Sequence, residues 1–312
     1  MTIISSRVSS RLGLALAGAA LAVSVACGAA RAPQTFAVPE DAVAALLKAA
    51  QQDTVDDLLT LFGPDAKALV QSSSPAVARR NRQVFVIAMA EGWRLVDEPN
   101  GRKVLVVGNE SWPFPIPLVR GQRGWRFDLA AGADEVLARR IGRNELAVIQ
   151  VCRKYVAAQR LYAASGHDGR PAGRYAKSLR SDDGRQNGLY WPAAPGEKSS
   201  PLGELVAEAA QEHEPLDPSR PGPLPFHGYH FAILTAQGAS APGGPRDYLQ
   251  NGELTGGFAL VAWPAQFGVT GIMTFVVAAD GTVYQKSLGD QTFAVARALK
   301  HYNPDPSWTM AN

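Results

Sequence analysis

Two histidines, His227 and His230, have the spacing in this chain that most resembles a metal-binding pair. Zinc sites hold their ion through imidazole nitrogens in a strict geometry. The residues around the pair, including Tyr229 and Phe231, predict a strand, in which residues at odd spacing lie on opposite faces. Both histidines then ligate one ion only if the chain bends at Gly228. We therefore predict no metal here and keep the two histidines as candidate binding residues.

Aromatic residues in Gly- and Pro-rich contexts form a second candidate group, namely Trp112, Phe114, Tyr190, Trp191 and Trp263. Aromatic side chains are enriched at binding surfaces, so the first four are candidates for an exposed binding groove. Tryptophans in strands are also frequent core residues. Both interpretations stay open from the sequence.

A third group combines 167–169 (His-Asp-Gly) with the acidic pair at 182–183, and these residues offer ligands for a hard cation. The calcium-loop pattern requires oxygen ligands at alternate positions, where Arg170 and Ala172 stand instead. An acidic turn is the favoured interpretation.

Nucleophilic catalysis has one candidate, Cys152, which lies on the apolar face of a predicted helix. Thiols in such positions are usually buried and inert. The chain contains no serine-hydrolase elbow, Walker motif, dinucleotide fingerprint or HExxH motif. We therefore predict no catalytic residue and no cofactor.

The first 32 residues are predicted to be a targeting segment rather than part of a folded domain. Arg7 and Arg11 precede an uncharged apolar stretch over 12–27, which is the pattern of a secretory signal peptide. The stretch is short of the roughly 20 apolar residues that span a bilayer. We expect an exported protein in the periplasm or cell envelope of a bacterium.

Alternative processing sites follow this stretch. The small residues around 28–32 fit signal-peptidase cleavage, whereas 24–27 loosely resembles a lipoprotein box that would acylate Cys27. Only lipidation of Cys27 would tie the protein to a membrane. Whether Cys27 is removed or acylated, Cys152 has no intramolecular partner, so the fold is expected to depend on a packed core rather than on a disulfide.

The charge balance excludes one class of partner. The whole chain has 31 basic and 28 acidic residues. The signal segment removes Arg7, Arg11 and Arg31 and no acid, which leaves 28 of each. A neutral chain lacks the net basic character that phosphate backbones attract, so nucleic acid is not an expected partner.

The apolar spacing predicts an α+β fold with two units behind the signal segment of residues 1–32. Residues 33–130 are expected to form N-terminal helices followed by a small antiparallel sheet. Three prolines restrict 112–118 to an edge strand or an extended segment. Residues 131–312 are expected to form a long helix packed on an antiparallel sheet. The helices of the first unit are expected from Pro39, over 54–61 and over 75–90.

The long helix is expected over 135–164, with a break near Gly142. Apolar residues at spacings of three, four and seven mark its buried face: Ile141, Val148, Cys152, Tyr155, Val156 and Tyr162. After it, the pattern predicts strands over 228–235, 254–263, 271–277 and 283–288, and a last helix over 291–301. The turn at 279–281 predicts a hairpin between the last two strands.

Long sequence strings in the second half resemble an uncharacterised bacterial family, domain of unknown function two-nine-five-zero. They are RIGRNELA at 140–147, GLYWP at 188–192 and GGFALVAWP at 256–264. The resemblance extends over about 34–308. It implies an exported bacterial protein with no assigned activity and no catalytic residues to carry over.

The order of elements in the second half is also similar to that of pilin-like domains. A long helix with Tyr155 and Tyr162, a Gly-rich loop, a strand around Tyr229 and a terminal hairpin at 280–281 follow one another. Pilins begin with the apolar half of that helix, whereas here a whole α+β unit precedes it. The resemblance therefore implies an order of elements and no filament.

Two functions remain open from the sequence. The first is a non-catalytic envelope protein, with a binding or structural role, whose partner is an envelope protein or a cell-surface polymer. The alternative is a periplasmic hydrolase, metal-dependent or not, acting on cell-wall or peptide substrates. His227, His230 and the loop with Tyr190 and Trp191 would form its site.

Overall fold

The structure, a computed structural model, describes residues 32–52, 54–70, 75–193, 196, 199–211 and 225–311. The predicted signal peptide up to residue 31 and the lipidation candidate Cys27 lie outside these residues. Helices and largely antiparallel sheets occupy separate parts of the chain, so the fold is α+β, as predicted. None of the described helices combines the length and apolar character that a bilayer span requires.

Helices open the described chain: α1 (Pro39–Gln51), α2 (Asp56–Phe62), α3 (Lys67–Val70) and α4 (Pro75–Glu91), with a 3-10 turn at Pro64–Ala66. Pro39 stands in the first turn of α1, where a missing N–H costs nothing, and two acidic residues follow it at the positive end of the helix dipole. The second helix begins at Asp56 rather than at 54, and its N-cap residue, Val55, provides no side-chain cap.

A small antiparallel sheet follows: β1 (Trp93–Asp97), β2 (Lys103–Val107), β3 (Trp112–Pro113), β4 (Leu118–Gly121) and β5 (Gly124–Phe127), with a 3-10 turn at Pro99–Gly101. The order is β1–β2–β4–β5, and β3 pairs with β2. Within the proline-rich stretch 112–118 the structure has the short β3, which pairs with β2 alone, and Leu118, which begins β4. The sequence did not predict β1.

One apolar core joins these helices to this sheet. Leu46 of α1, Phe62 of α2 and Met89 of α4 are buried with Leu105 of β2 and Phe127 of β5. Burying side chains of this size contributes about 1.5–3 kcal/mol each relative to exposure. The first unit therefore has a hydrophobic core of its own.

The long helix α5 (Leu129–Ala163) starts earlier than predicted and runs without a break. The carboxylate of Asp128 caps it by accepting the N–H of Ala131 at 3.4 Å. Gly142, the predicted break, stands in the uninterrupted helix, and a Cβ there would meet nothing within 4 Å. The predicted division near 130 falls in the first turn of α5, and it stays a prediction.

The described elements of the second half are α6 (Gly203–Gln211), β6 (Tyr229–Leu234), β7 (Ala236–Gln237), β8 (Arg246–Asp247), β9 (Leu249–Gln250), β10 (Glu253–Leu254), β11 (Ala259–Pro264), β12 (Met273–Ala278), β13 (Val283–Ser287), a 3-10 turn at Gly289–Gln291, α7 (Thr292–Ala298), β14 (His301–Tyr302) and β15 (Thr309–Met310). The main sheet is antiparallel, with the order β15–β13–β12–β11–β6. Small pairings surround it: β9 with β10, and β7 with β8 and β14.

Two predicted elements of this half are corrected. The single strand expected over 254–263 is divided into β10 and β11, because the backbone at Gly256 and Gly257 packs closely against Tyr248. A Cβ on Gly257 would lie 2.7 Å from that ring. The last helix ends at Ala298 rather than at 301, and β14 then pairs in parallel with β7.

The core of the second half lies between α5 and the main sheet. All six residues of β11 are buried. The predicted apolar face of α5 is confirmed at Val148, Cys152, Tyr155, Val156 and Tyr162, whereas Ile141 is only half-buried. The predicted hairpin is also confirmed, since β12 pairs with β13 around Gly281, whose φ is 84°.

Candidate functional site

The loop after α5 reverses direction in a tight turn at 167–170. Asp168 and Gly169 have φ values of 51° and 72°. The backbones of His167 and Arg170 exchange hydrogen bonds of 3.1 and 2.9 Å. Positive φ at both central positions defines a type I′ turn, which an Asp-Gly pair favours. The carboxylate of Asp168 accepts the N–H of Gln186 at 3.0 Å. The turn that the sequence favoured is therefore present, and the absence of a bound cation stays a prediction.

A surface pocket lies where this loop meets β10. It has about 310 Å³ of empty space, part of which is open to solvent. Its charged lining consists of Arg170, Arg174, Lys177 and Glu253. Its other polar and aromatic lining includes Tyr162, His167, Tyr175 and Asn187.

Positive charge exceeds negative charge in this lining. Nη1 of Arg170 lies 3.1 and 3.2 Å from the two carboxylate oxygens of Glu253. Nε of Arg174 lies 3.9 Å from the same carboxylate, and its Nη1 donates to the carbonyl of Pro171 at 3.3 Å. Nζ of Lys177 donates to the carbonyl of Gly252 at 2.8 Å. Among the described lining residues, three cationic side chains therefore share the pocket with one carboxylate.

A buried amide fixes the loop on α5. Gln159, with no exposed surface, donates to the carbonyl of Ala176 and accepts its N–H, both at 2.9 Å. Its Nε2 also donates to the hydroxyl of Tyr155 at 3.1 Å. On either side of Ala176 stand the pocket residues Tyr175 and Lys177. This bidentate link therefore sets the position of the pocket floor relative to the helix.

One wall of the pocket is a stack of rings. His167 lies flat against Tyr162, with ring centroids 4.1 Å apart and planes at 16°. Nε2 of His167 is 3.1 Å from the carbonyl of Tyr162, whose hydroxyl donates to the carbonyl of Gln186 at 2.9 Å. Burial, reinforced by the charge of Asp168, raises the pKa of the Tyr162 hydroxyl. Tyr162 therefore remains a neutral donor at physiological pH.

Behind this wall stands Trp191, whose ring centroid is 5.6 Å from that of His167. Trp191 is buried, and its Nε1 and the Nδ1 of His167 have no hydrogen-bond partner among the described residues. The neighbouring Tyr190 is half-buried and is held through its backbone by Leu179 and Ser181. Tyr190 and Trp191 therefore support the pocket loop, and neither lines the pocket itself.

Trp112 and Phe114 lie in the other half of the chain. Trp112 is 45% exposed, and the guanidinium carbon of Arg139 lies 5.5 Å from the centroid of its ring. Phe114 is half-buried between Phe85 and Phe127 at 5.5 and 6.1 Å. Phe114 is thus part of the N-terminal packing, and Trp112 presents ring surface to solvent. A binding role for the two residues stays a prediction.

The two histidines do not share the strand that the sequence predicted. His227 has a φ of 47° and forms, with Gly228, a type I′ turn closed by hydrogen bonds between Phe226 and Tyr229. His230 lies in β6, and its ring centroid is 5.8 Å from that of Trp263. The strand expected from 228 therefore begins at Tyr229. No group of three His, Cys, Asp or Glu side chains in the described ranges is arranged to hold a metal ion.

Cys152 is fully buried in the face of α5 that contacts the sheet. Burial raises the pKa of its thiol from 9.0 to about 12, although the charge of Arg153 acts in the opposite direction. The thiolate, which is the nucleophilic form, is therefore scarce at neutral pH. The interpretation of Cys152 as a core residue is confirmed.

The string at 140–147 contains a clamp that sequence reasoning did not identify. The carboxylate of Glu145 accepts the backbone N–H groups of Ile272 and Met273 at 2.8 and 2.9 Å, and the hydroxyl of Tyr229 at 3.4 Å. Burial and the charge of Glu145 raise the pKa of Tyr229, which keeps that hydroxyl protonated. Asn144 donates to the carbonyl of Thr270 at 2.9 Å. This part of the string therefore joins α5 to the main sheet.

Sequence reasoning also missed the charged lining of the pocket. Arg170, Arg174 and Lys177 recur at intervals of four and three, but in a loop this spacing does not fix a common direction. Their carboxylate partner Glu253 is 83 residues from Arg170. Only the folded chain brings these charges together.

A family model described as a protein of unknown function, DUF2950, matches residues 33–311. No curated protein and no solved structure matches the chain. The matched range contains both units, the pocket and the clamp at Glu145. The chain therefore belongs to the DUF2950 family of proteins of unknown function.

Proposed function

We propose that this protein is an exported component of the bacterial envelope that binds an envelope protein or a cell-surface polymer without transforming it chemically. Support for export comes from the N-terminal pattern, in which Arg7 and Arg11 precede the apolar stretch 12–27. Support for binding comes from the folded part of the chain.

The observation that carries the proposal is the pocket beside β10. Among the described residues, three cationic side chains line it together with one carboxylate, that of Glu253, which lies near Arg170 and Arg174. Like charges in one recess repel each other, and solvent and salt screen this repulsion where the side chains are exposed. An anionic group on a ligand would relieve this repulsion. The pocket is partly open to solvent, so a ligand attached to a larger molecule has access to it.

The surroundings of the pocket favour binding over chemistry. Its ring wall is held by stacking of His167 on Tyr162, and its floor is held by the amide of Gln159. A raised pKa keeps Tyr162 neutral and Cys152 mostly protonated, so neither supplies an anionic nucleophile at neutral pH. Rigid donors around a cationic recess are typical of recognition sites.

Affinity capture from crosslinked bacterial cells tests the proposal. The bait is the native exported chain, compared with a double variant, Arg170→Gln with Arg174→Gln, and with Arg123→Gln, which changes an exposed arginine in the β4–β5 turn. We expect an envelope component to be captured by wild type and by Arg123→Gln and lost from the double variant.

The same experiment has a clear contrary result. Equal capture by all three baits would remove the pocket from the binding function, and an empty capture with a folded bait would count against a binding role altogether. The N-terminal peptide of the bait, read by mass spectrometry, distinguishes acylated Cys27 from a free N-terminus near residue 31 or 33. An uncleaved N-terminus in the cytoplasmic fraction would refute export.

A further inference from the structure

We propose that the pocket formed by Arg170, Arg174, Lys177 and Glu253 binds a phosphate group. This inference rests on the binding role proposed for the same pocket and names the chemical group that the pocket recognises. The shared chemistry is a terminal phosphate with two ionisable oxygens. It occurs both as the free ion and as a phosphomonoester on a lipid headgroup.

The charge of the lining matches this ligand. The described lining side chains, three cations and one carboxylate, carry an excess of two positive charges, while the nearby carboxylate of Asp168 accepts the N–H of Gln186. A terminal phosphate has a second pKa near 6 and therefore carries about −1.5 to −2 charges at pH 7. A single carboxylate would neutralise only about half of the excess. Phosphate thus leaves the least uncompensated charge in a partly buried recess.

The donors also match. Arginine presents planar N–H groups that pair with two phosphate oxygens at once, and lysine adds a point charge. Arg174 uses Nη1 for the carbonyl of Pro171, while its Nη2 makes no hydrogen bond to a described residue. Lys177 uses one of its three N–H donors for the carbonyl of Gly252. Both residues can receive a phosphate without first breaking their present hydrogen bonds.

Glu253 preorganises the arginine side chains of the site before a ligand binds. It holds Arg170 by contacts of 3.1 and 3.2 Å, while Arg174 is farther from the same carboxylate, at 3.9 Å. Arg170 is thus neutralised and fixed, whereas Arg174 is only weakly engaged. This asymmetry makes Arg174 the principal contact for the phosphate and Arg170 a support for the lining.

The backbone around these residues is fixed as well. The type I′ turn at 168–169 sets the direction of Arg170, and the amide of Gln159 sets the position of Ala176 next to Lys177. The backbone N–H of Tyr175 also donates to the carbonyl of Leu254 at 2.8 Å. Little ordering cost therefore accompanies binding, which raises affinity for a small anion.

Titration calorimetry of inorganic phosphate into the full chain, at low and constant ionic strength, tests the inference. Low salt is required because exposed charges are screened strongly. We expect saturable binding by wild type, and binding about tenfold weaker or worse in Arg174→Gln, since this variant loses a hydrogen bond from a charged donor. Lys177→Gln is expected to weaken binding in the same direction, and Arg123→Gln is the matched control.

Two results would overturn the inference. One is the absence of saturable phosphate binding by a wild-type chain with native circular dichroism. The other is equal affinity of wild type, Arg174→Gln and Lys177→Gln. Envelope capture by the wild-type chain remains an independent measurement, so a failed phosphate site with intact capture leaves the proposed function standing. Phosphate binding without any capture would instead confirm the site and reject the proposed function.

A second experiment decides whether the phosphate belongs to a lipid headgroup or is a soluble ion. Vesicles of phosphatidylcholine, with or without phosphatidic acid, are sedimented with wild type and with Arg174→Gln. Cosedimentation that depends on both phosphatidic acid and Arg174 identifies a lipid phosphomonoester as the ligand. Binding of inorganic phosphate with no cosedimentation identifies a soluble phosphate, and both results agree with the proposed site.

Discussion

The carboxylate of Glu145 lies 2.8 Å from the backbone nitrogen of Ile272, a residue 127 positions later in the chain. The same oxygen accepts the N–H of Met273. Glu145 therefore satisfies two backbone N–H groups at the start of β12 and attaches this strand to α5. A helix side chain here performs a task that a neighbouring strand usually performs.

Replacing this carboxylate tests its contribution. We expect Glu145→Ala to lower the free energy of unfolding by about 1.5–3 kcal/mol, because two N–H groups lose a charged acceptor. Urea denaturation followed by circular dichroism measures the change. The control is Glu135→Ala, which removes an exposed pair with Arg139 on the same helix and should cost less than about 1 kcal/mol. Equal losses in the two variants would contradict the role given to Glu145.

Two glycines of α5 should respond in opposite directions to alanine. A Cβ at Gly132 would lie 2.6 Å from the side chain of Ile116, whereas a Cβ at Gly142 would meet nothing within 4 Å. We expect Gly132→Ala to destabilise the chain by about 1–3 kcal/mol through overpacking. Gly142→Ala should stabilise it by about 0.5–1 kcal/mol, since alanine favours the helix. Thermal denaturation of both variants decides, and a Gly132→Ala chain at least as stable as wild type would refute the packing of α5 on Ile116.

These glycines also show which part of the fold the sequence predicts. Apolar spacing correctly identified the α+β class, the buried face of α5 and the hairpin at Gly281. The sequence-based prediction placed the start of α5 too late and a break at Gly142, because helix propensity reflects only residues close in sequence. Ile116 packs against Gly132, and Asp128 caps the helix, so tertiary contact and capping extend α5 toward the N-terminus.

The candidate site was less predictable than the fold. Aromatic and histidine content drew attention to Trp191 and His227, which the fold uses for a supporting wall and a turn. The pocket instead depends on Arg170 and Arg174 meeting Glu253 across a long stretch of sequence. A contact between residues so far apart in sequence leaves no periodic pattern, so a single sequence does not reveal it.

Burial of ionisable core groups predicts a loss of stability in alkali. The pKa of Cys152 rises from 9.0 to about 12 on burial, and that of Tyr248 from 10.0 to about 12. Between these limits the unfolded chain releases protons that the folded chain retains. The stabilisation is therefore complete below about pH 9 and is lost as pH rises toward 12. Each group contributes a slope of up to about 1.4 kcal/mol per pH unit.

A variant isolates the share of the thiol. Cys152→Ala is expected to lose core packing at every pH and to show a shallower decline of unfolding free energy above pH 9 than the parent chain. Urea denaturation at a series of pH values measures both effects. A decline of the same slope in Cys152→Ala and in the parent would show that Cys152 is not responsible for its part of the alkaline loss.

The turn at His227 permits a test of conformation separate from chemistry. His227 has a φ of 47°, a region that asparagine tolerates and that β-branched residues avoid. His227→Asn and His227→Val both remove the imidazole, so they differ mainly in how well they fit the turn. We expect the valine variant to be less stable than the asparagine variant by about 1–2 kcal/mol. Equal stability of the two variants would argue that the turn is not type I′. Zinc bound by wild type but by neither variant would favour the alternative function, a metal-dependent hydrolase.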